Sequence, residues 1–377
     1  MNKVLLGDVA EEVRENYKET DGNPAVVGLE HLIPGEIRLK EWSEDTNTTF
    51  TKAFHKGQVL FGRRRAYLKK AAVAPVDGIC SGDITVISAK QDKILPELLP
   101  FVIQNDDFFD FAVGKSAGSL SPRVKWSRLK EYEFNLPSLP QQRKLAKLLW
   151  SFVDAKEAYE DLIHQTDELA KSQFIEMFGS EKDNVKDYPV LRIGDFSECY
   201  PGATPSTKKN EYWDGGDIPW MSSGEVYKEH IYDTEQKITI AGYKNASTKM
   251  VPPHSIVVAL AGQGRTRGTV AINEIELCTN QSLCAIIPDE HVILTDYLFQ
   301  DLKNRYEELR DMSTVPGGRG GLSLTIINKV PVLVPPLELQ KVYVDMIYQS
   351  DKSKFELNEA IKDLDAMYKR IIKDNLG

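Results

Sequence analysis

Residues 60–73, LFGRRRAYLKKAAV, set three consecutive arginines and two lysines inside a chain that is acidic overall. Across 54–73 there are six Lys/Arg and no Asp or Glu, whereas the 377 residues carry a formal net charge of −9. A guanidinium is a planar fork of donors that matches phosphate oxygens or the O6 and N7 atoms of guanine. Arg63, Arg64, Arg65, Lys69 and Lys70 therefore point to an anionic partner, and Tyr67 is placed to pack on a sugar or bond a phosphate. Two further windows lack acids. AVGKSAGSLSPRVKWSRLK (112–130) has five bases and sets Lys115, Ser116 and Arg123 among small residues. Residues 236–273 also hold five bases and include GQGRTRG (262–268), which offers Gln263, Arg265 and Arg267. PGGRGG (316–321) places Arg319 between glycines, where backbone can approach a phosphate closely. The pI of about 5.4 argues against indiscriminate nucleic-acid binding but not against focused binding, because local field outweighs total charge. For any one window the plain alternative is a solvated face. Three windows rich in Gly, Ser and Thr favour binding.

Enzyme chemistry finds less support. There is no G-x-x-x-x-G-K-[ST]. ALAGQGRTRGT has glycines at 262, 264 and 268 and misses the G-x-G-x-x-G dinucleotide loop by one residue. The six histidines form no H-E-x-x-H, and NLPS (135–138) lacks the second proline and the aromatic of an amino-methyltransferase N-P-P-Y box. The four cysteines make no C-x-x-C pair, so neither a disulfide framework nor a zinc site is expected, and no metal ligands are assigned. Apolar runs are too short for a membrane span, and the first residues do not form a signal peptide, so a reducing cytoplasm is the expected location.

What must position these loops is a chain that repeats itself. LPSLPQQRKLAKLLW (136–150) aligns without a gap on VPPLELQKVYVDMIY (334–348) at a shift of 198 residues. Pro137, Leu139, Gln142, Lys156, Ile163, Asp167 and Lys171 face the same residue types at Pro335, Leu337, Gln340, Lys354, Ile361, Asp365 and Lys369. Both segments read as helices of about 37 residues, roughly 55 Å each, started near a proline and closed by Gly179 or Gly377. In the first, Leu148, Phe152, Tyr159, Leu162 and Leu169 mark a narrow heptad seam; in the second, Leu357, Leu364, Met367 and Ile371 do so. Ahead of each helix lie about 140 residues of short apolar runs with Gly, Pro and Asn turns, including QVLFG, AAVAPV, ITVIS and IVVALAG. The plan is globule, rod, globule, rod. Two antiparallel rods from one chain relate the globules by an approximate two-fold axis.

With these pieces assembled, the chain resembles the specificity (DNA-recognition) subunit of type I restriction–modification systems, over nearly its whole length. LRIGDFSECYPGATPSTKKNEYWDGGDIPWMSSGEV (191–226) is similar to the opening of that family's target recognition domain: a G-D, a G-x-T-P-S, an aromatic and an I-P-W. The helix starts LPSLPQQRK and VPPLELQK resemble its spacer helices, and FGRRRAYLKKAAVA resembles a basic strand-turn within the domain. The resemblance implies an α+β fold: two α/β target recognition domains, 1–138 and 185–335, each followed by a conserved spacer helix, 139–180 and 336–377. The helices pair as an antiparallel coiled coil with pseudo-two-fold symmetry. It adds Thr204, Ser206 and Lys208 to the expected DNA contacts. It further implies that each domain reads one half of a bipartite, asymmetric DNA target. Modification (methyltransferase) subunits would carry S-adenosylmethionine for DNA methylation, restriction subunits would use ATP and magnesium, and this chain would catalyse nothing. Two alternatives stay open on the residues alone: a self-contained DNA methyltransferase or nuclease, and a coiled-coil protein adaptor.

Overall fold

The computed structural model describes residues 2–18, 24–180, 183–262, 264–312 and 321–377. They form two compact units, one of Met1–Ile163 with Phe355–Gly377 and one of His164–Lys354. The fold is α+β, with a mixed sheet-and-helix body in each unit and two long helices.

In the first unit the short apolar runs become strands: β1 (Asn2–Leu5), β2 (Ala10–Val13), β3 (Ala25–Val27), β4 (Lys52–Phe54), β5 (Val59–Gly62), β6 (Ala71–Val73), β7 (Gly78–Cys80), β8 (Ile84–Ala89) and β9 (Glu133–Leu136). A four-stranded sheet runs β2-β8-β5-β6, a three-stranded sheet runs β3-β7-β4, and β1 pairs with β9. The run VLFG shows no polar alternation because β5 is covered on both faces. Val59 and Phe61 enter one core, with the helices Leu99–Ile103 and Asp106–Gly114. Leu60 enters a second core beneath the smaller sheet, with Val27 and Phe54.

The second unit repeats this plan with β10 (Val190–Arg192), β11 (Ser197–Pro201), β12 (Ile218–Met221), β13 (His230–Ile231), β14 (Gln236–Ile238), β15 (Ser255–Ala259), β16 (Val270–Asn273), β17 (Cys278–Thr279), β18 (Leu283–Pro288) and β19 (Pro331–Leu333). Its larger sheet runs β11-β18-β15-β16-β13, its smaller one β14-β12-β17, and β10 pairs with β19. Ile256 and Val258 of β15 face the helix-covered core, and Val257 and Ala259 face the other. The β5–β6 and β15–β16 hairpins therefore hold the same place in the two units.

The central helix spans Leu139–Phe178 and the C-terminal helix Leu337–Leu376, 40 residues each. Gly179 takes φ +78°, the left-handed cap that its position predicts, and its N–H bonds the Ile175 carbonyl at 2.8 Å. In the first unit the two helices run antiparallel. Leu145, Leu149 and Val153 share a core with Ile372 and Leu376, and Lys156 Nζ lies 3.5 Å from Asp365. They are also antiparallel in the second, where Lys354 Nζ lies 2.7 Å from Asp167 and Phe174 and Phe178 pack against Tyr343. The two ion pairs use the same two residues of the repeat, exchanged between helices.

The expected seam needs correction. Phe152, Tyr159, Leu357, Leu364 and Ile371 are half-buried, but Leu148, Leu162, Leu169 and Met367 are exposed. On the central helix the covered row lies one residue further on, through Leu149, Val153, Lys156, Ile163, Asp167 and Ala170. On the C-terminal helix Tyr368, not Met367, turns inward, and its ring packs 6.0 Å from Phe101. Two members of the true row are charged, so a search for apolar spacing settles on the neighbouring row.

A buried amide sets the phase of each helix. Gln142, 1% exposed, accepts from Leu95 N–H at 2.9 Å and donates to the Pro137 carbonyl at 3.0 Å. Gln340, 0% exposed, accepts from Leu294 N–H at 2.8 Å and donates to the Pro335 carbonyl at 2.8 Å. Each Nε2 also donates a longer bond, to the Lys93 or Val292 carbonyl; removing either side chain therefore strands at least two backbone groups, each costing about 1–3 kcal/mol when buried. We expect Gln142→Ala to destabilise the first unit by about 2–4 kcal/mol. Hydrogen exchange at the Leu95 amide should accelerate while that at Leu294 stays unchanged; Gln340→Ala should give the reverse. Equal protection in wild type and variants would refute this role.

Candidate nucleic-acid interface

Two of the acid-free windows fall on the equivalent hairpins. Residues 63–70 connect β5 to β6, and residues 260–269 connect β15 to β16. In the first, Arg65 adopts φ 54° and ψ 56°, then Ala66–Leu68 make one 3₁₀ turn and Lys69 returns at φ 50°. Left-handed backbone costs a non-glycine residue roughly 1–2 kcal/mol, so the surroundings must impose it. They do so through Arg65 N–H to the Pro122 carbonyl at 2.8 Å, Leu68 N–H to the Arg65 carbonyl at 2.9 Å, and the buried Ala66 methyl. The tip presents Arg65, Tyr67 and Leu68 to solvent, and Leu120 stands 92% exposed on the adjacent 117–123 turn.

Three further bases of the hairpin, Arg64, Lys69 and Lys70, are engaged. Arg64 Nε donates to Ser121 Oγ at 2.6 Å, and its Nη1 lies 3.5 Å from Asp83. Arg123, bridged in backbone to Arg64, donates from Nε and Nη2 to the two Asp83 oxygens at 2.7 and 3.2 Å. Those bonds, foremost from Arg123, hold the Asp83 carboxyl below the usual carboxylate range. Lys69 pairs with Asp106 at 2.6 Å and Lys70 donates to the Leu29 carbonyl at 2.7 Å. Arg63 turns to a cleft shared with Glu12, Arg14, Glu15 and Lys52. Lys115 and Ser116 lie beyond the Asp106–Gly114 helix; the lysine faces Glu131 at 3.8 Å, and the serine hydroxyl bonds the Ala112 carbonyl at 2.9 Å. The window free of acids in sequence thus acquires Asp83 and Asp106 in space.

The second hairpin is tied differently. Gly262, Gly264 and Gly268 carry φ of 154°, 64° and 85°, and a Cβ at Gly262 would meet the Thr266 side chain at 2.6 Å. The Arg265 carbonyl accepts from Thr269 Oγ1 at 2.8 Å and Tyr306 OH at 2.9 Å, while Tyr227 and Thr266 bond through their hydroxyls at 2.8 Å. Arg265 is exposed and Arg267 half-buried. Gln263 and Arg319 lie outside the described residues.

Thr204, Ser206 and Lys208 stand on a separate segment that follows β11, with Ser206 and Lys208 exposed. The motif around them is structural. A Cβ at Gly202 would meet the Thr279 carbonyl oxygen at 2.0 Å, Thr204 bonds Gln281, and Trp220 Nε1 donates to the Ala203 carbonyl at 3.1 Å. Trp213 packs edge-on to Trp220 at 5.0 Å. The G-x-T-P-S and I-P-W stretches are therefore two sides of one contact. The residues missed from sequence are Asp83, Ser121, Leu120 and Tyr306. Asp83 stands just ahead of the apolar run ITVIS, and only strand pairing brings it beneath the arginines. Among the described residues no group of three His, Cys, Asp or Glu could hold a metal ion, and no helix is long and apolar enough to cross a membrane.

Comparison with known proteins agrees with this duplicated architecture. The profile of the type I restriction modification DNA specificity domain matches residues 3–165 and again 185–364. The type I restriction enzyme MjaIX specificity subunit of Methanocaldococcus jannaschii is 34% identical over 190 residues, 47% of this chain and 42% of that protein. The EcoR124I/EcoR124II specificity subunit of Escherichia coli is 25% identical over 171 residues, 45% of this chain and 42% of that protein. The chain thus matches less than half the length of these relatives. Two solved structures share the fold: one from a type I R-M system, with TM-score 0.64 and 20% identity over 99% of this chain and 97% of that one, and the S subunit from M. genitalium, with TM-score 0.59 and 13% identity over 100% and 96%. Two copies of one domain, each bearing the hairpin just described, make this chain a member of the type I restriction modification DNA specificity family.

Proposed function

We propose that this chain is the DNA-recognition subunit of a type I restriction–modification complex, reading a bipartite, asymmetric target with one unit per half-site. The observation that carries the reading is the pair of equivalent hairpins, one per unit, each presenting an exposed arginine, Arg65 and Arg265. Their surroundings differ, which suits two unlike half-sites. Bidentate contact of such a fork to a base contributes about 1–3 kcal/mol of discrimination, whereas phosphate contacts add affinity without sequence information.

In this proposal the chain binds double-stranded DNA and scaffolds modification and restriction subunits in the cytoplasm. It holds no cofactor of its own; S-adenosylmethionine, ATP and magnesium act on the partner subunits, and the chain is not an enzyme. Thr204, Ser206, Lys208, Lys115 and Ser116 supply flanking backbone contacts.

Two outcomes test the reading. Co-expressed with the modification subunits, Arg65→Ala should relax or erase one half of the methylated motif and Arg265→Ala only the other, by about ten-fold or more at the affected position. Genome-wide mapping of methylated bases reads this directly, and a motif unaltered by both variants would overturn it. Four residues inserted into each long helix, after Ile163 and after Lys354, add one turn of about 6 Å. The pair absorbs such a stutter by local unwinding. The gap between half-sites should lengthen by about one or two base pairs, at 3.4 Å per step. An unchanged gap would remove the helices as its ruler.

A further inference from the structure

One carboxylate sits under the first hairpin. Asp83 enters β8 and places both oxygens on Arg123 and one near Arg64, while Ser121 takes the Arg64 Nε. Holding Arg123 by Nε and Nη2 leaves the N–H bonds of Nη1 directed away from Asp83. The Arg123 side chain remains 43% exposed and that of Asp83 only 19%. The fork is therefore fixed from behind and open in front. Beside it, Arg65 is exposed at the tip and makes no side-chain hydrogen bond or ion pair among the described residues. The hairpin is also closed by backbone bonds that do not use the ion pair, Arg63 N–H to Asp83 O at 2.9 Å and Arg65 N–H to Pro122 O at 2.8 Å.

We propose that Asp83 is a positioning residue that sets the specificity of the first recognition unit: it holds Arg123 as a rigid fork for a base edge and offsets the pull of Arg64 and Arg123 on the phosphate backbone. Specificity is a difference of affinities, and a fixed negative charge lowers the non-specific member of that difference. Preorganising the fork raises the specific member. The proposal rests on the DNA-recognition reading above and names the group within that site that sets selectivity. In the second unit the hairpin is tied through its backbone, where the Arg265 carbonyl accepts from the Tyr306 hydroxyl.

The test uses the full chain assembled with its modification subunits. A random-sequence duplex of about 40 base pairs reports non-specific affinity, and mapping of methylated bases reports specificity. Asp83→Asn should tighten binding to the random duplex by about three- to ten-fold and steepen its log–log salt dependence by about one to two. It should also degrade discrimination at the first half-site about ten-fold and leave the second intact. Adding Arg123→Gln to Asp83→Asn should return the random-duplex affinity and salt slope toward wild type, a rescue that a merely structural defect would not show. Arg123→Lys keeps the charge but not the fork; it should lose first-half-site discrimination with random-duplex affinity unchanged, which keeps the proposal testable if Asp83→Asn fails to fold. A wild-type complex without sequence preference would sink the DNA-recognition reading itself. A selective wild type with Asp83→Asn and Arg123→Lys indistinguishable from it would sink only the role of Asp83.

Discussion

The arrangement depends on a neutral amide buried at the start of each long helix. A glutamine side chain is one planar group with an acceptor on one side and donors on the other. Gln142 commits its acceptor to the Leu95 amide and a donor to the Pro137 carbonyl, on two separate chain segments. Satisfying both leaves the helix no freedom to rotate about its axis, because an unpaired buried amide costs more than any gain in repacking. Residues three, seven and eleven positions on, Leu145, Leu149 and Val153, then fall over the sheet. Fourteen and twenty-five residues on come Lys156 and Asp167, on the same stripe at 3.6 residues per turn. Gln340, Tyr343, Ile347, Lys354 and Asp365 repeat that logic in the C-terminal helix. The inward face of each rod is decided where it leaves its globule.

That dependence explains which parts of the fold were legible. The helices, their glycine caps and the recurring glutamines all leave local marks: proline before the first turn, an absence of breakers, and a shared 198-residue shift. The strands β5, β8 and β15 were legible as the apolar runs QVLFG, ITVIS and IVVALAG because each is covered on both faces. The rotation of the helices was not. Leu148, Leu162 and Leu169 form the more apolar row and are exposed, while the covered row contains a lysine and an aspartate. Those two charges sit inward only because each finds its opposite on the other helix. Hydrophobic period detects burial by composition and is blind to burial by pairing.

The binding surface was legible in the same partial way. Runs of arginine are visible in one dimension, and the hairpins they occupy follow from flanking apolar strands. That the two hairpins are equivalent requires the strand orders β8-β5-β6 and β18-β15-β16, which no local pattern encodes. Asp83 lies ten residues past the acid-free window and returns beside it only through the pairing of Gly62 with Ile84. Linear charge density therefore overstated the free charge of the first hairpin: Arg64, Lys69 and Lys70 are held by partners, while Arg65 stands exposed at the tip.

The contrast between recurring and differing polar groups gives the architecture its logic. Gln142 and Gln340 each bond a backbone N–H and a proline carbonyl, and neither can be replaced by an apolar residue without stranding a buried donor. The hairpin tips carry no such obligation, since their side chains face water when nothing is bound. Beside one hairpin a carboxylate offsets the charge of Arg64 and Arg123; the other is tied through the Arg265 carbonyl by the Tyr306 phenol. Equivalent backbone positions thus display different fields. Because Arg65, Tyr67 and Leu68 face outward while Ala66 alone anchors the tip in the core, tip chemistry can be rewritten without disturbing the glutamine-locked helices, and two copies of one fold can address two unlike sequences.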